Sequence, residues 1–354
     1  MAYTNIDDPS AHFQNKLYTG NGSDNHSITN DGNSDLEPDL VWIKYRTAGV
    51  SHVLYDSSRG ATKRLYPDFD GQEATQAAGV KSFNSDGFTL GTAGASNGNN
   101  IPFVAWQWHA NGGTTSTNTD GDINSTVQVN SDAGFSIVQY SPSNNTARTI
   151  GHGLGAKPHF IFTRALNRTE NWNAYHRAFE STLGGGWWGI DTDAAYNDGA
   201  NTQGYTSMST TTFGVGTDFG INGAYNYCSW VWTAKQGFSK FGKYKGTGSS
   251  TNSPFIHTGF KPAFVWLKQS DSSGNGWFMF DIERNPFNSS TNKYIRSDES
   301  GAEGGASKIL DFYSNGFKII HNDSATNGNN SSYVYMAWAH NPFVTSTGIP
   351  TTAL

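Results

Sequence analysis

Pro38-Asp39-Leu40-Val41-Trp42-Ile43-Lys44 is a proline, an aromatic and β-branched run, and a cation six residues on. The phrase returns as Pro158-His159-Phe160-Ile161-Phe162-Thr163-Arg164 and as Pro262-Ala263-Phe264-Val265-Trp266-Leu267-Lys268. Proline has no N–H for a sheet ladder, so it suits the first residue of a strand and not its interior. The run behind it suits a pleated, buried surface. Each phrase therefore reads as the central strand of one repeat unit. Parity along it is informative. Leu40, Trp42 and Lys44 face one way and Val41 and Ile43 the other, and unit three repeats this with Phe264, Trp266 and Lys268 against Val265 and Leu267. A half-exposed strand would alternate with polar residues. The second face is expected to be covered by a loop, a short helix, another unit or another subunit.

Two further landmarks follow each proline in order. Tyr55-Asp56, Tyr175-His176 and Phe280-Asp281 begin 17, 17 and 18 residues after it. Trp106, Trp230 and Trp338, each in an alternating run, lie 68, 72 and 76 residues after it. A period near 100 residues marks whole domains rather than solenoid coils. The expected fold is all-β, with three tandem antiparallel β-sandwich (jelly-roll-like) units. The division is an arm at 1–12, units at 13–115, 133–235 and 236–341, and an extended tail at 342–354. Between units one and two, 112–131 is rich in Thr, Asn and Asp and reads as a linker and the first site of proteolysis. Ser85-Asp86-Gly87-Phe88 and Ser314-Asn315-Gly316-Phe317 read as hairpin turns, while unit two has Thr212-Phe213-Gly214-Val215 there. Residues 73–80 and 174–183 are the only helix candidates.

Composition fits. Only 35% of the 354 residues are hydrophobic and 41 are glycine, which could mean disorder, but 11 Trp, 16 Tyr and 22 Phe argue for a turn-rich β protein. Net charge is −6 with no basic run, so nucleic acid is not an expected partner. Nothing approaches the roughly 18 consecutive apolar residues of a membrane span. The opening Met1-Ala2-Tyr3-Thr4-Asn5-Ile6-Asp7-Asp8 lacks the regions of a signal peptide, so export by that route is not expected. The single cysteine, Cys228, reads as a buried inert thiol.

Candidate chemistry is sparse. Lys44 with Asp56, and Lys268 with Asp281, are expected to form structural ion pairs; Arg164 and His176 replace them in unit two. A glycoside hydrolase needs two carboxylates flanking the bond, and the seven glutamates form no alternating strand pattern. No His-Glu-x-x-His, Gly-x-Ser-x-Gly or Walker loop occurs. Counting Asp120 as the start of a calcium loop puts Ser131 at the position that needs a bidentate acid, so that stretch reads as turns. No catalytic, cofactor or metal residue is assigned. Trp187-Trp188, after Gly184-Gly185-Gly186, is different, because neighbours on a strand face opposite ways and one indole can meet solvent. With Tyr196, Asn197, Asp198, Asn201 and Gln203 it joins aromatic faces to amide and carboxylate groups, as a neutral sugar requires.

Asp132-Ala133-Gly134-Phe135-Ser136-Ile137-Val138, Gly151 to Pro158 and Trp172-Asn173-Ala174-Tyr175-His176 resemble a repeated domain found in tail-fibre-like virion proteins of marine and cyanobacterial phages. Pro38 to Lys44, Leu54 to Gly60, Ser82 to Leu90 and the ending Asn341 to Gly348 resemble the same family. The resemblance implies a virion structural protein, assembled in the host cytoplasm and acting outside it. A tail fibre, spike or tail tip touching the host surface is expected first, a capsid decoration protein second, and a surface-polysaccharide depolymerase third. A homotrimer, other virion proteins and host glycan are the expected partners.

Overall fold

The three phrases build three sheets of equivalent pairing. The computed structural model describes residues 2–351 apart from 184–187, 198–202, 287 and 306. The first sheet orders its strands Phe13–Thr19, Pro102–Trp108, Leu40–Tyr45, Val53–Asp56. The second repeats this as Phe135–Tyr140, Tyr227–Trp232, Phe160–Ala165, Asn173–His176, and the third as Ser239–Lys245, Ser332–Pro342, Phe260–Gln269, Phe278–Asp281. Opposite each lies a three-stranded sheet: His26–Ile28, Gly87–Leu90, Val80–Asn84, then Arg148–Gly151, Thr212–Val215, Tyr205–Met208, then Phe255–His257, Gly316–Ile319, Leu310–Tyr313. Among the described residues all the strand ladders are antiparallel, with one isolated parallel bridge at Ile123–Ile150, so the chain is an all-β sandwich fold. Pro38 and Pro158 precede their strands; Pro262 lies inside one, at a break in register where its missing donor does no harm.

The two faces of each central strand have different jobs. Val41 and Ile43 pack with Ile28, Val80, Phe88 and Leu90 of the small sheet, and Ile161 does the same with Ile150 and Phe213. Leu40, Trp42, Phe160, Phe162, Phe264 and Trp266 point the other way, into a core shared by all three sandwiches. Trp42, Phe162 and Trp266 form one triangle there, with ring centroids 6.2, 6.2 and 5.3 Å apart. Trp108, Trp232 and Trp338 form a second, at 5.9, 5.4 and 5.9 Å, all three pairs close to edge-on. The doubly apolar strand is thus covered within one chain, by the other two sandwiches around a pseudo-threefold axis.

Several details correct the sequence reading. The register pairs Leu40 with Trp108, Phe160 with Trp232 and Phe264 with Trp338. Trp338 is therefore the counterpart of Trp108 and Trp232, and Met336 the counterpart of Trp106 and Trp230. The stretch 112–131 is not a loose linker. It holds strands Ser116–Asn118 and Ser125–Asn130 on the edge of the second sheet. Gln128, fully buried, donates to Ser57 Oγ and Ser58 Oγ at 2.8 Å and accepts from the N–H groups of Asn111 and Gly113. The helix candidate 174–183 is strand to His176 and then 3-10 helix over Arg177–Thr182, and 73–80 is a short strand and turn. The arm packs on sandwich three: Tyr3 donates to Gly259 O at 2.7 Å, Thr4 to Gln236 O at 2.8 Å, and Ile6 is buried. The tail turns back, bridging Val344 to Pro350.

Candidate functional site

What locks the sandwiches together also decides where a ligand could enter. Lys44, Arg164 and Lys268 end their central strands fully buried. The expected pairs with Asp56 and Asp281 do not form, because the antiparallel register puts Asp56 opposite Leu40 and Asp281 opposite Phe264, at the far end of the strand. The cations seek backbone carbonyls instead. Lys44 Nζ donates to Val50 O at 2.7 Å and to Ser300 O at 3.0 Å. Arg164 donates to Asp70 O and to Gly71 O. Lys268 Nζ donates to Gln269 O at 2.7 Å and Asp193 O at 3.2 Å. Sandwich one thus reaches into three, two into one, and three into two. His52, Trp172 and Trp277 repeat the cycle, bonding Arg296 O, Tyr66 O and Gly189 O at 3.0 Å each. His52 Nδ1 accepts from Trp42 Nε1 at 2.8 Å, which puts its proton on Nε2. Burial pulls Lys44 and Lys268 down to about 8 and Arg164 to about 10, and holds His52 well below the usual histidine range.

Among the described residues a second seal exists at two junctions. Asp56 pairs with Arg59 at 2.5 Å, and the guanidinium lies 5.4 Å over Trp230 of sandwich two. Asp281 pairs with Arg284 at 2.7 Å, and that guanidinium lies 5.5 Å over Trp106 of sandwich one, whose Nε1 donates to Asp281 at 3.0 Å. In sandwich two the matching residues are His176 and Phe179, and the facing position in sandwich three is Met336. His176 bonds Tyr335 O at 3.3 Å, and burial pushes it down to about 3.

A cleft of about 400 Å³ lies at this junction. Phe179 and Tyr196 form one wall, their rings stacked at 3.7 Å and 7°. Lys243, Ser270, Asp271 and Ser332 of sandwich three line the other side. Tyr196 N–H donates to Ser270 O at 2.8 Å, tying the wall across the junction. Asp271 accepts from Ser332 N at 2.6 Å and from Gln269 at 3.0 Å.

The residues singled out from sequence fare unequally. Trp188 is 1% exposed, its ring 4.4 Å from Trp277 and its Nε1 bonded to Ala194 O, so it is core at the junction and not a surface contact. Trp187, Asp198 and Asn201 lie outside the described residues. Asn197 and Gln203 are exposed and do not line the cleft. Among the described members of the set, Tyr196 alone lines it. Phe179, Lys243 and Asp271 carried no sequence signal, since they meet only when two sandwiches dock. Asp122 accepts from Thr149 N–H at 2.7 Å, in keeping with a turn at 118–124. Among the described residues no group of three or more His, Cys, Asp or Glu could hold a metal ion, and no helix is long and apolar enough to cross a membrane. Cys228 is buried, and burial pushes its thiol up.

The family described as "Domain of unknown function (DUF7483)" matches residues 8–342, so the chain belongs to that family. No curated protein matches the chain.

Proposed function

Taking the chain as a DUF7483 member, we propose that it is a structural component of a phage virion, a tail fibre, spike or tail-tip part that contacts the host surface without catalysis. The observation that carries this reading is the build. Three sandwiches are clamped about one buried aromatic axis, which gives a rigid body holding loops at its rim. Binding residues are commonly placed on loops held by such scaffolds. The sequence resemblance to tail-fibre-like virion proteins supports it. The homotrimer was expected from an apolar face that the other two sandwiches cover within the chain, so that face no longer argues for a second copy. A pseudo-threefold body also suits a local threefold axis of a capsid lattice, which favours decoration as the second reading. Cryo-EM of purified particles separates them: density at the tail supports the first reading, density on the capsid the second. Absence of the chain from purified particles by mass spectrometry defeats both. In the depolymerase alternative the protein would release oligosaccharides from host surface polysaccharide; none is expected.

A further inference from the structure

We propose that the cleft between the second and third sandwiches is a binding site for a neutral saccharide ring, formed by the Phe179–Tyr196 wall and by Lys243, Ser270, Asp271 and Ser332. The argument starts from broken pseudo-symmetry. At the junctions led by Asp56–Arg59 and Asp281–Arg284, a buried guanidinium covers the neighbour's tryptophan. Beside the first, Gln128 also plugs Ser57 and Ser58. At the junction led by His176–Phe179 no guanidinium of the described residues fills the equivalent place, and a half-buried aromatic pair faces the cleft instead.

The chemistry of the lining selects the ligand class. Its volume, about 400 Å³, lies in the usual range for small-molecule sites, roughly 300–1,000 Å³. One wall offers aromatic surface, which suits the C–H face of a sugar ring. The facing wall offers one ammonium, one carboxylate and two hydroxyls, a mixed set of donors and acceptors without net charge. Lys243 is exposed on the edge strand Ser239–Lys245, while Asp271 is held in place by the Ser332 N–H. A polyol with one apolar face matches both walls. An anion would meet Asp271, and a cation would meet Lys243. The inference rests on the host-contact reading only for where such a sugar would come from.

The test is saturation-transfer difference NMR on the full chain. The probes are methyl glycosides of glucose, galactose and mannose, and N-acetylglucosamine, at millimolar concentration, with glucuronate and glucosamine as charged counterparts. At least one neutral probe is expected to take up saturation on its ring protons and to outcompete its charged counterpart. Tyr196→Ala, Lys243→Ala and Asp271→Asn are each expected to weaken that binding by about tenfold. Lys243 is exposed, so its variant folds even if Tyr196→Ala does not. No response from any neutral probe, preference for a charged one, or unchanged binding in every variant that folds overturns the site. Any of those results leaves the virion reading standing, because that reading is decided by particle location.

Discussion

His176 is a neutral imidazole inside a protein–protein type of junction that happens to lie within one chain. Its folded-state pKa is pushed down from 6.5 to about 3, chiefly by burial. Below the ordinary histidine range the unfolded chain takes up a proton that the folded chain refuses. Stability from this group is thus present above about 6.5 and is lost as pH falls toward about 3, at roughly 1.4 kcal/mol per pH unit. Asp191 works the other way, since burial raises it to about 7. Comparison with His176→Gln cancels that and every other common group. Urea unfolding at pH 7 and pH 4.5 is expected to show the wild type losing about 2–3 kcal/mol more than the variant. Equal losses would mean the histidine is not held neutral. Lys44 follows the same sign in a higher window. Burial lowers it to about 8, so between there and its unfolded value the folded state sheds its proton first and stability rises with pH. Between pH 8 and 9.5, below the tyrosine range, the wild type is expected to gain roughly 1–2 kcal/mol relative to Lys44→Met in the same assay. At this scale the sequence misleads in a specific way. Lys44 and Lys268 were visible as strand-end cations, but their partners are backbone carbonyls of remote loops, which leave no side-chain signature. The landmark aspartates Asp56 and Asp281 belong to other pairs.

Elements were far more legible. The proline-led phrases located all three central strands, because a run apolar on both faces after a proline has few other places to go. The alignment slipped only at Trp338, where Trp106-Gln107-Trp108 became Met336-Ala337-Trp338 and the last tryptophan was matched to the first. Strand Ser125–Asn130 was missed because four of its six residues are polar, yet Ser125, Val127 and Gln128 are buried. It follows that 125–130 should resist limited proteolysis. Thermolysin or proteinase K is expected to nick the exposed loop 143–147 before it. A first cut inside 125–130, mapped by mass spectrometry, would contradict the ordered strand. The junction pairs allow a sharper test. Arg59→Phe alone leaves Asp56 buried without its cation, and breaking such a pair costs about 3–5 kcal/mol. Asp56→His with Arg59→Phe copies the His176–Phe179 arrangement that the chain already uses, and is expected to recover more than half of that loss. A double variant no more stable than the single would show that the apolar seal depends on Met336 opposite it.

One core for three sandwiches has consequences for the whole molecule. Trp108, Trp232 and Trp338 each belong to a different sandwich, and each is buried by the other two. The faces that would bring separate subunits together are already spent inside the chain, so light scattering is expected to give a 38.4 kDa monomer at micromolar concentration. Mass near three times that would restore the trimer as the working unit. Cooperativity carries the same logic further. Removing Trp232 leaves a large void and costs about 4 kcal/mol, whichever way the molecule unfolds. If all 354 residues melt together, their unfolding entropy is about 0.7 kcal/mol/K, and the loss lowers Tm by about 5 °C. If each sandwich of about 100 residues melted alone, the entropy would be about a third of that or less, and one transition would move by nearly 20 °C while the other two stayed. Scanning calorimetry of Trp232→Ala is expected to give a single peak displaced by the smaller amount. A split trace with one strongly shifted component would mean that the central triangles are contacts between independent domains and not the core of one.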